Sequence, residues 1–197
     1  MSNQHRSTQH APNPRPDRQG TPTFGTSVPR GNRRAPCIVF AYGSNLFQKR
    51  MAGRIPSATV LGPAVLPGHE LRFHMQSTDG SAKADAYRTD DPTHRVAGVL
   101  YRISPAELSI LDHYEGGYTR QLHPFRPEGG EETGGRVRAW TYHARPERID
   151  PELRPFDWYH RFVVAGARSH GIDPKYVERL TRIPVVQTGG QAPHLLR

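Results

Sequence analysis

The sequence holds a single cysteine, Cys37, in 197 residues. That excludes an internal disulfide framework and fits a reducing cytoplasm. Cys37 opens an apolar run, which predicts a buried, inert thiol. Long hydrophobic runs are also missing. Nothing approaches the roughly 18–20 apolar residues of a membrane span, and the N-terminus lacks the apolar stretch of a secretory signal, so no membrane partner is expected. Lysine is scarce, three of the 27 basic side chains. The formal charge of +9 is unevenly placed: residues 1–36 hold six arginines against Asp17 alone, a net +5. Over half of the charge thus lies in a segment almost free of large apolar residues, and a nucleic-acid partner is weakly supported. Such a segment cannot bury enough surface to offset its ordering entropy. The expected layout is a disordered basic tail over 1–36, one domain over 37–186 and a flexible end over 187–197.

Several signatures of chemistry are absent as well. Eleven histidines invite a metal, yet there is no H-E-x-x-H, no C-x-x-C and no helical i, i+4 histidine pair beside a carboxylate. The histidines read as ordinary polar side chains, and no metal or cofactor is expected. Gly43-Ser44-Asn45 is not a G-x-S-x-G elbow, and the glycines around 129–135 follow no strand-to-helix pattern of a dinucleotide site.

What remains is a run of short strands followed by helices. Strands are predicted at 38–41, 60–66, 69–75, 82–87, 96–101, 118–124 and 137–142, with Pro67-Gly68 turning between the second and third. Ser104-Pro105-Ala106-Glu107 reads as a capping box opening a helix through Leu108 and Leu111. Phe156, Tyr159, Phe162, Val163, Gly166 and Ala167 recur at helical spacing, with Gly171 as the stop. Asp173-Pro174 caps a last helix carrying Tyr176, Val177 and Leu180. The fold class is α+β: a curled, mostly antiparallel mixed β-barrel with helices packed outside.

Two places can carry chemistry. In Tyr42-Gly43-Ser44-Asn45 a strand ends, a glycine lets the backbone approach something closely, and unpaired N–H groups follow. A plain capped turn is the bland alternative. In Leu111-Asp112-His113-Tyr114-Glu115-Gly116-Gly117-Tyr118 a helix runs out at a glutamate backed by two glycines. Here the bland alternative is a solvated helix-end carboxylate.

Together these segments resemble the gamma-glutamylcyclotransferase family (AIG2-like domain). Its members share a Y-G-S-N-L loop, here 42–46, and an L-D-x-x-E-G segment, here 111–116. The likeness continues through Gly98-Val99-Leu100-Tyr101, Tyr142, Tyr159 and Gly171-Ile172-Asp173-Pro174, in the family's order. Asn45 argues against the glutathione-specific branch. The resemblance implies that a small gamma-glutamyl substrate is split by its own α-amine, releasing 5-oxoproline and a free amine without cofactor, metal or covalent intermediate. It implies Glu115 as general acid/base, the segment Val39, Phe40, Ala41, Tyr42, Gly43, Ser44 and Asn45 as the glutamyl cradle, and Tyr118, Tyr142 and Tyr159 as donors of hydroxyl hydrogen bonds. Removal of a gamma-glutamyl cap from a biosynthetic intermediate and a non-catalytic binding module stay open beside it. The amine half and the oligomeric state are left open.

Overall fold

The computed structural model describes residues 35–127 and 137–189. The expected tail up to residue 34, the Gly/Glu-rich loop around 129–135 and the chain end from 190 lie outside them. Among the described residues, seven strands are interspersed with four α-helices. They are β1 (Cys37–Ala41), α1 (Gln48–Arg54), β2 (Thr59–Pro67), β3 (His69–Gln76), β4 (Ala82–Arg88), β5 (Arg95–Ile103), α2 (Leu108–Tyr114), β6 (Tyr118–Pro127), β7 (Val137–Ala144), α3 (Asp157–Ser169) and α4 (Pro174–Thr181).

The α+β class holds. Five strands pair in the order β1-β5-β2-β6-β7, antiparallel throughout except that β7 meets β1 in parallel at Val39 and Trp140. The curl is uneven: β2 and β6 share two residue pairs, and β1 and β7 one. Two strands stand outside this five-stranded arrangement. β3 and β4 pair with each other as a separate two-stranded sheet, so Pro67-Gly68 turns the chain between sheets. β5 is an interior strand, flanked by β1 and β2, and Val96 through Tyr101 are all buried. An uninterrupted apolar run is what such a position demands, because both faces are covered.

α3 sits against the turn that follows β1. Gly166 makes this possible: a Cβ there would lie 2.4 Å from the Leu46 carbonyl carbon. Phe162 and Val163 on the same face are buried, each burial worth about 1.5–3 kcal/mol. His170 at the end of α3 approaches Leu46 O at 3.0 Å, and Thr188 Oγ1 donates to Asp157 at the start of the helix, 2.6 Å away.

Local expectations fare unevenly. Asp173 does cap α4, accepting from Tyr176 N at 3.0 Å. The capping box at Ser104–Glu107 does not form. A 3₁₀ turn over Pro105–Glu107 leads into α2 without a side-chain cap, and the Glu107 carboxylate instead accepts from Ser57 N at 3.3 Å and from the Ser57 hydroxyl. A tertiary partner outcompetes the local one. Cys37 is half-buried at the start of β1, not fully enclosed, because its strand is only covered from Val39 onward. No helix among the described residues is long and apolar enough to cross a membrane.

Candidate active site

β1 delivers the chain to a tight loop, Tyr42–Asn45, that becomes a 3₁₀ turn over Ser44–Leu46. Leu46 N donates to Gly43 O and Phe47 N to Ser44 O. Among the described residues, the N–H groups of Gly43, Ser44 and Asn45 have no backbone acceptor, as expected at the start of a helical turn. A side chain at position 43 would crowd this surface. Its Cβ would stand 3.0 Å from Tyr159 Oη and 3.4 Å from Ala84 Cβ.

Glu115 terminates α2, its N–H donating to Leu111 O and Asp112 O. Its carboxylate turns toward the loop. Oε1 accepts from Asn45 Nδ2 at 2.9 Å and lies 3.6 Å from an Arg54 guanidinium nitrogen. Arg54 also donates to Asn45 Oδ1 at 3.0 Å, which fixes the amide with its nitrogen toward Glu115. Burial pushes the Glu115 carboxyl above its ordinary value, while Arg54, Asn45 and Arg50 pull it back down. Burial wins, so this acid holds its proton more tightly than a surface glutamate.

Loop and carboxylate face a shared cavity of about 50 Å³. All eleven residues singled out from sequence line it: Val39 through Asn45, Glu115, Tyr118, Tyr142 and Tyr159. Met51, Ala84 and Leu111 complete the wall. Glu115 is the only carboxylate among the lining residues.

The three tyrosines are not equivalent donors. Tyr118 donates its hydroxyl proton to Ala84 O at 2.7 Å, and Tyr142 donates to Asp112 Oδ1 at 2.7 Å. Asp112 is in turn held by Arg120. Tyr159 accepts from Ala84 N at 3.1 Å, which leaves its own proton available. Of the three expected hydroxyl donors, Tyr159 is the one whose proton has no acceptor among the described residues. Tyr42, also buried, donates to Tyr142 O.

Arginines were missed in the sequence. Arg50 donates from Nε to Ser44 Oγ at 3.1 Å, and burial followed by Arg54 repulsion lowers its pKa to about 10. Arg50 and Arg54 stand four apart on α1, so one helix face carries both toward the site. That spacing, immediately after the loop, was the available signal. Beyond Glu115 a larger hollow of about 480 Å³ opens, lined by Arg50, Arg54, Lys83 and Arg148 among others. Lys83 is paired with Asp79 at 2.6 Å, whereas Arg148 Nε is buried without a partner among the described residues.

A family model described as AIG2-like matches residues 95–180, a span that includes Glu115, Tyr118, Tyr142 and Tyr159. The gamma-glutamylcyclotransferase of Bos taurus is 26% identical over 163 residues, covering 81% of this chain and 85% of that protein. These comparisons support the gamma-glutamylcyclotransferase family for this chain. The Homo sapiens gamma-glutamylcyclotransferase is likewise 26% identical over 149 residues, 74% of this chain and 78% of that protein. A solved gamma-glutamyl cyclotransferase structure superposes with a TM-score of 0.71 at 24% identity, covering 81% of this chain and 95% of the other. A glutathione-specific gamma-glutamyl cyclotransferase from yeast shares the fold more distantly, with a TM-score of 0.55 at 16% identity over 75% of this chain and 94% of that one. The mixed α+β fold, sheets with helices beside them, matches that of these solved structures.

Proposed function

We propose that the chain is a gamma-glutamyl cyclotransferase acting on a gamma-glutamyl amino acid, with Glu115 as its general acid/base. One observation carries the reading: the only carboxylate in the inner cavity is Glu115, buried enough to be raised in pKa and aimed at the loop by Asn45.

The reaction divides into two proton movements. The ionised Glu115 takes a proton from the substrate α-ammonium, and the freed amine attacks the γ-carbonyl carbon. A five-membered ring closes, placing negative charge on the carbonyl oxygen. Collapse of that intermediate breaks the C–N bond to the departing amine, which receives the proton held by Glu115; Glu115 then passes on the second proton shed by the ring nitrogen, so the amine leaves as an ammonium. The products are 5-oxoproline and a free amine; no water is consumed.

The geometry bears on each requirement. An unperturbed glutamate is a weak base for an α-ammonium near pH 8, a mismatch of about 5 kcal/mol. A raised Glu115 narrows that gap. The N–H groups of Gly43, Ser44 and Asn45 and the spare Tyr159 proton are donors suited to the glutamyl carboxylate and the developing oxyanion. A small inner cavity with a snug wall favours the substrate conformer in which amine and carbonyl meet.

The outer hollow bears on the amine half. The arginines that line it suit a leaving group that carries a carboxylate, hence an amino acid in preference to a simple amine. The test is incubation of the purified chain with gamma-glutamyl amino acids and gamma-glutamyl amines, with 5-oxoproline followed by mass spectrometry. Release of glutamate in place of 5-oxoproline, or no turnover of any member, would remove the reading.

A further inference from the structure

We propose that His69, His123 and His143 form a binding site for a divalent transition-metal ion, Zn²⁺ foremost, with three Nε2 ligands and a water in the fourth position. The site is independent of the reaction at Glu115. It ties the β3–β4 sheet to the curled sheet.

The three residues come from three strands, β3, β6 and β7, and each offers a ring nitrogen within 4.8 Å of the others. His123 Nε2 and His143 Nε2 are 2.9 Å apart. Tetrahedral Zn–N bonds of about 2.0–2.1 Å set ligand nitrogens about 3.3 Å from one another. The closest pair must open slightly and the widest must close, movements within reach of small side-chain rotations.

The backbone has already chosen the ligand atoms. His143 Nδ1 lies 2.9 Å from Ala86 O, and His69 Nδ1 lies 2.8 Å from Pro67 O. A carbonyl oxygen only accepts, so each Nδ1 carries the proton and each Nε2 presents a lone pair. Metal-bound histidines are held in the same way, the far nitrogen donating to a carbonyl or carboxylate that fixes tautomer and ring orientation. Without an ion, His123 Nε2–H can donate to His143 Nε2. That satisfies one of the two lone pairs and gives His69 Nε2 no donor. With an ion, His123 shifts its proton to Nδ1, and three lone pairs meet one cation with no proton lost to solvent.

Neutral imidazoles are the form that ligates. Asp85 is the carboxylate felt by His143, and it is already committed to His74 and to Ala144 N. Arg88, the nearby cation, points outward to Asp90. Imidazole-only ligation suits Zn²⁺, Co²⁺, Ni²⁺ and Cu²⁺ and not Mg²⁺ or Ca²⁺.

The experiment uses the full-length chain, stripped with a chelator and dialysed, and titrated with Zn²⁺ against a chromophoric competitor. The expected result is one ion per chain, the intense visible bands of four-coordinate Co²⁺ on substitution, and a higher melting temperature with Zn²⁺ than without. His123→Ala removes a ligand whose ring makes no backbone-carbonyl bond, so the fold should survive it. Zn²⁺ affinity in that variant should drop by more than about tenfold and the cobalt bands should disappear. His143→Ala should behave alike if circular dichroism finds it folded. A chain lacking His5 and His10 of the N-terminal segment should bind as tightly as the parent. Absence of stoichiometric binding would overturn the proposal. So would unchanged affinity in His123→Ala, or binding that vanishes with His5 and His10, an adventitious site only.

Discussion

Asn45 Nδ2 donates to Glu115 Oε1 across 2.9 Å, joining the loop after the first strand to the end of α2 over seventy residues of chain. Because the same amide accepts from Arg54, it cannot rotate without breaking a second bond. Asn45 is in this sense the part that aims the carboxylate.

Removing that bond should leave the carboxylate less stabilised. A hydrogen bond to a charged group contributes about 1.5–3 kcal/mol. Asn45→Ala should therefore raise the Glu115 pKa further, and the acidic limb of the kcat–pH profile would move up. A limb that stays in place would mean Asn45 does not hold the reacting group.

Glu115→Gln should lower kcat by about 10²–10⁴, the usual span for a lost general base, with substrate binding retained. The pH dependence of stability carries a second signature. The folded carboxyl is raised above its unfolded value, so ionisation costs stability, and that cost appears as pH rises through the folded pKa. The Gln variant should lose this decline. Denaturant melts of both proteins across the acid-to-neutral range would decide it.

The three tyrosines should separate cleanly. Tyr159→Phe should lower kcat/KM, because Tyr159 alone of the three keeps a hydroxyl proton to give. Tyr118→Phe strands Ala84 O and should cost about 1–3 kcal/mol of stability, with a smaller effect on turnover. Equal kinetic losses in both would contradict the assignment of donors.

Arg148→Gln should raise KM for gamma-glutamyl amino acids and leave gamma-glutamyl amines of similar size unaffected. The difference arises because only the former bring a carboxylate to the guanidinium groups that line the hollow. Parallel KM values for both substrate classes in the variant would remove the charge-based account of the outer hollow.

Gly166→Ala tests the scaffold. A methyl 2.4 Å from Leu46 must push α3 off the loop, at a cost of about 1–3 kcal/mol. The melting temperature should fall by roughly 2–12 °C, at about 2–4 °C per kcal/mol for a chain of this size. Turnover should fall too, since α3 carries Tyr159.

Much of this was readable from the chain. Strand and helix periods located nearly every element, and Asp173-Pro174 announced its cap, because these features are decided within a few residues. Eleven of the fourteen cavity-lining residues were legible, eight of them in two short motifs and three tyrosines and Val39–Ala41 in the strand that leads to the first motif. What escaped depends on distant partners. Glu107 had the spacing of a cap but met Ser57. Tyr118 and Tyr142 had the right positions, yet strand β4 and Asp112 claimed their protons. The separation of β3–β4 from the curled sheet has no signal in alternation alone. His69, His123 and His143 share no helical or loop spacing; only the stacking of two sheets brings them together.

The seam between β1 and β7 also bears on when the site exists. Val39 finds Trp140, and Tyr42 finds Tyr142, only after about a hundred residues of intervening chain have been arranged. Contacts of such long sequence separation form late and slow a domain's acquisition of its native state. During synthesis the loop at 42–46 emerges early and waits, its counterparts on β7 and α3 still unmade. The first motif in the chain is thus among the last to be completed, and a nascent chain halted before β7 carries the loop without its pocket.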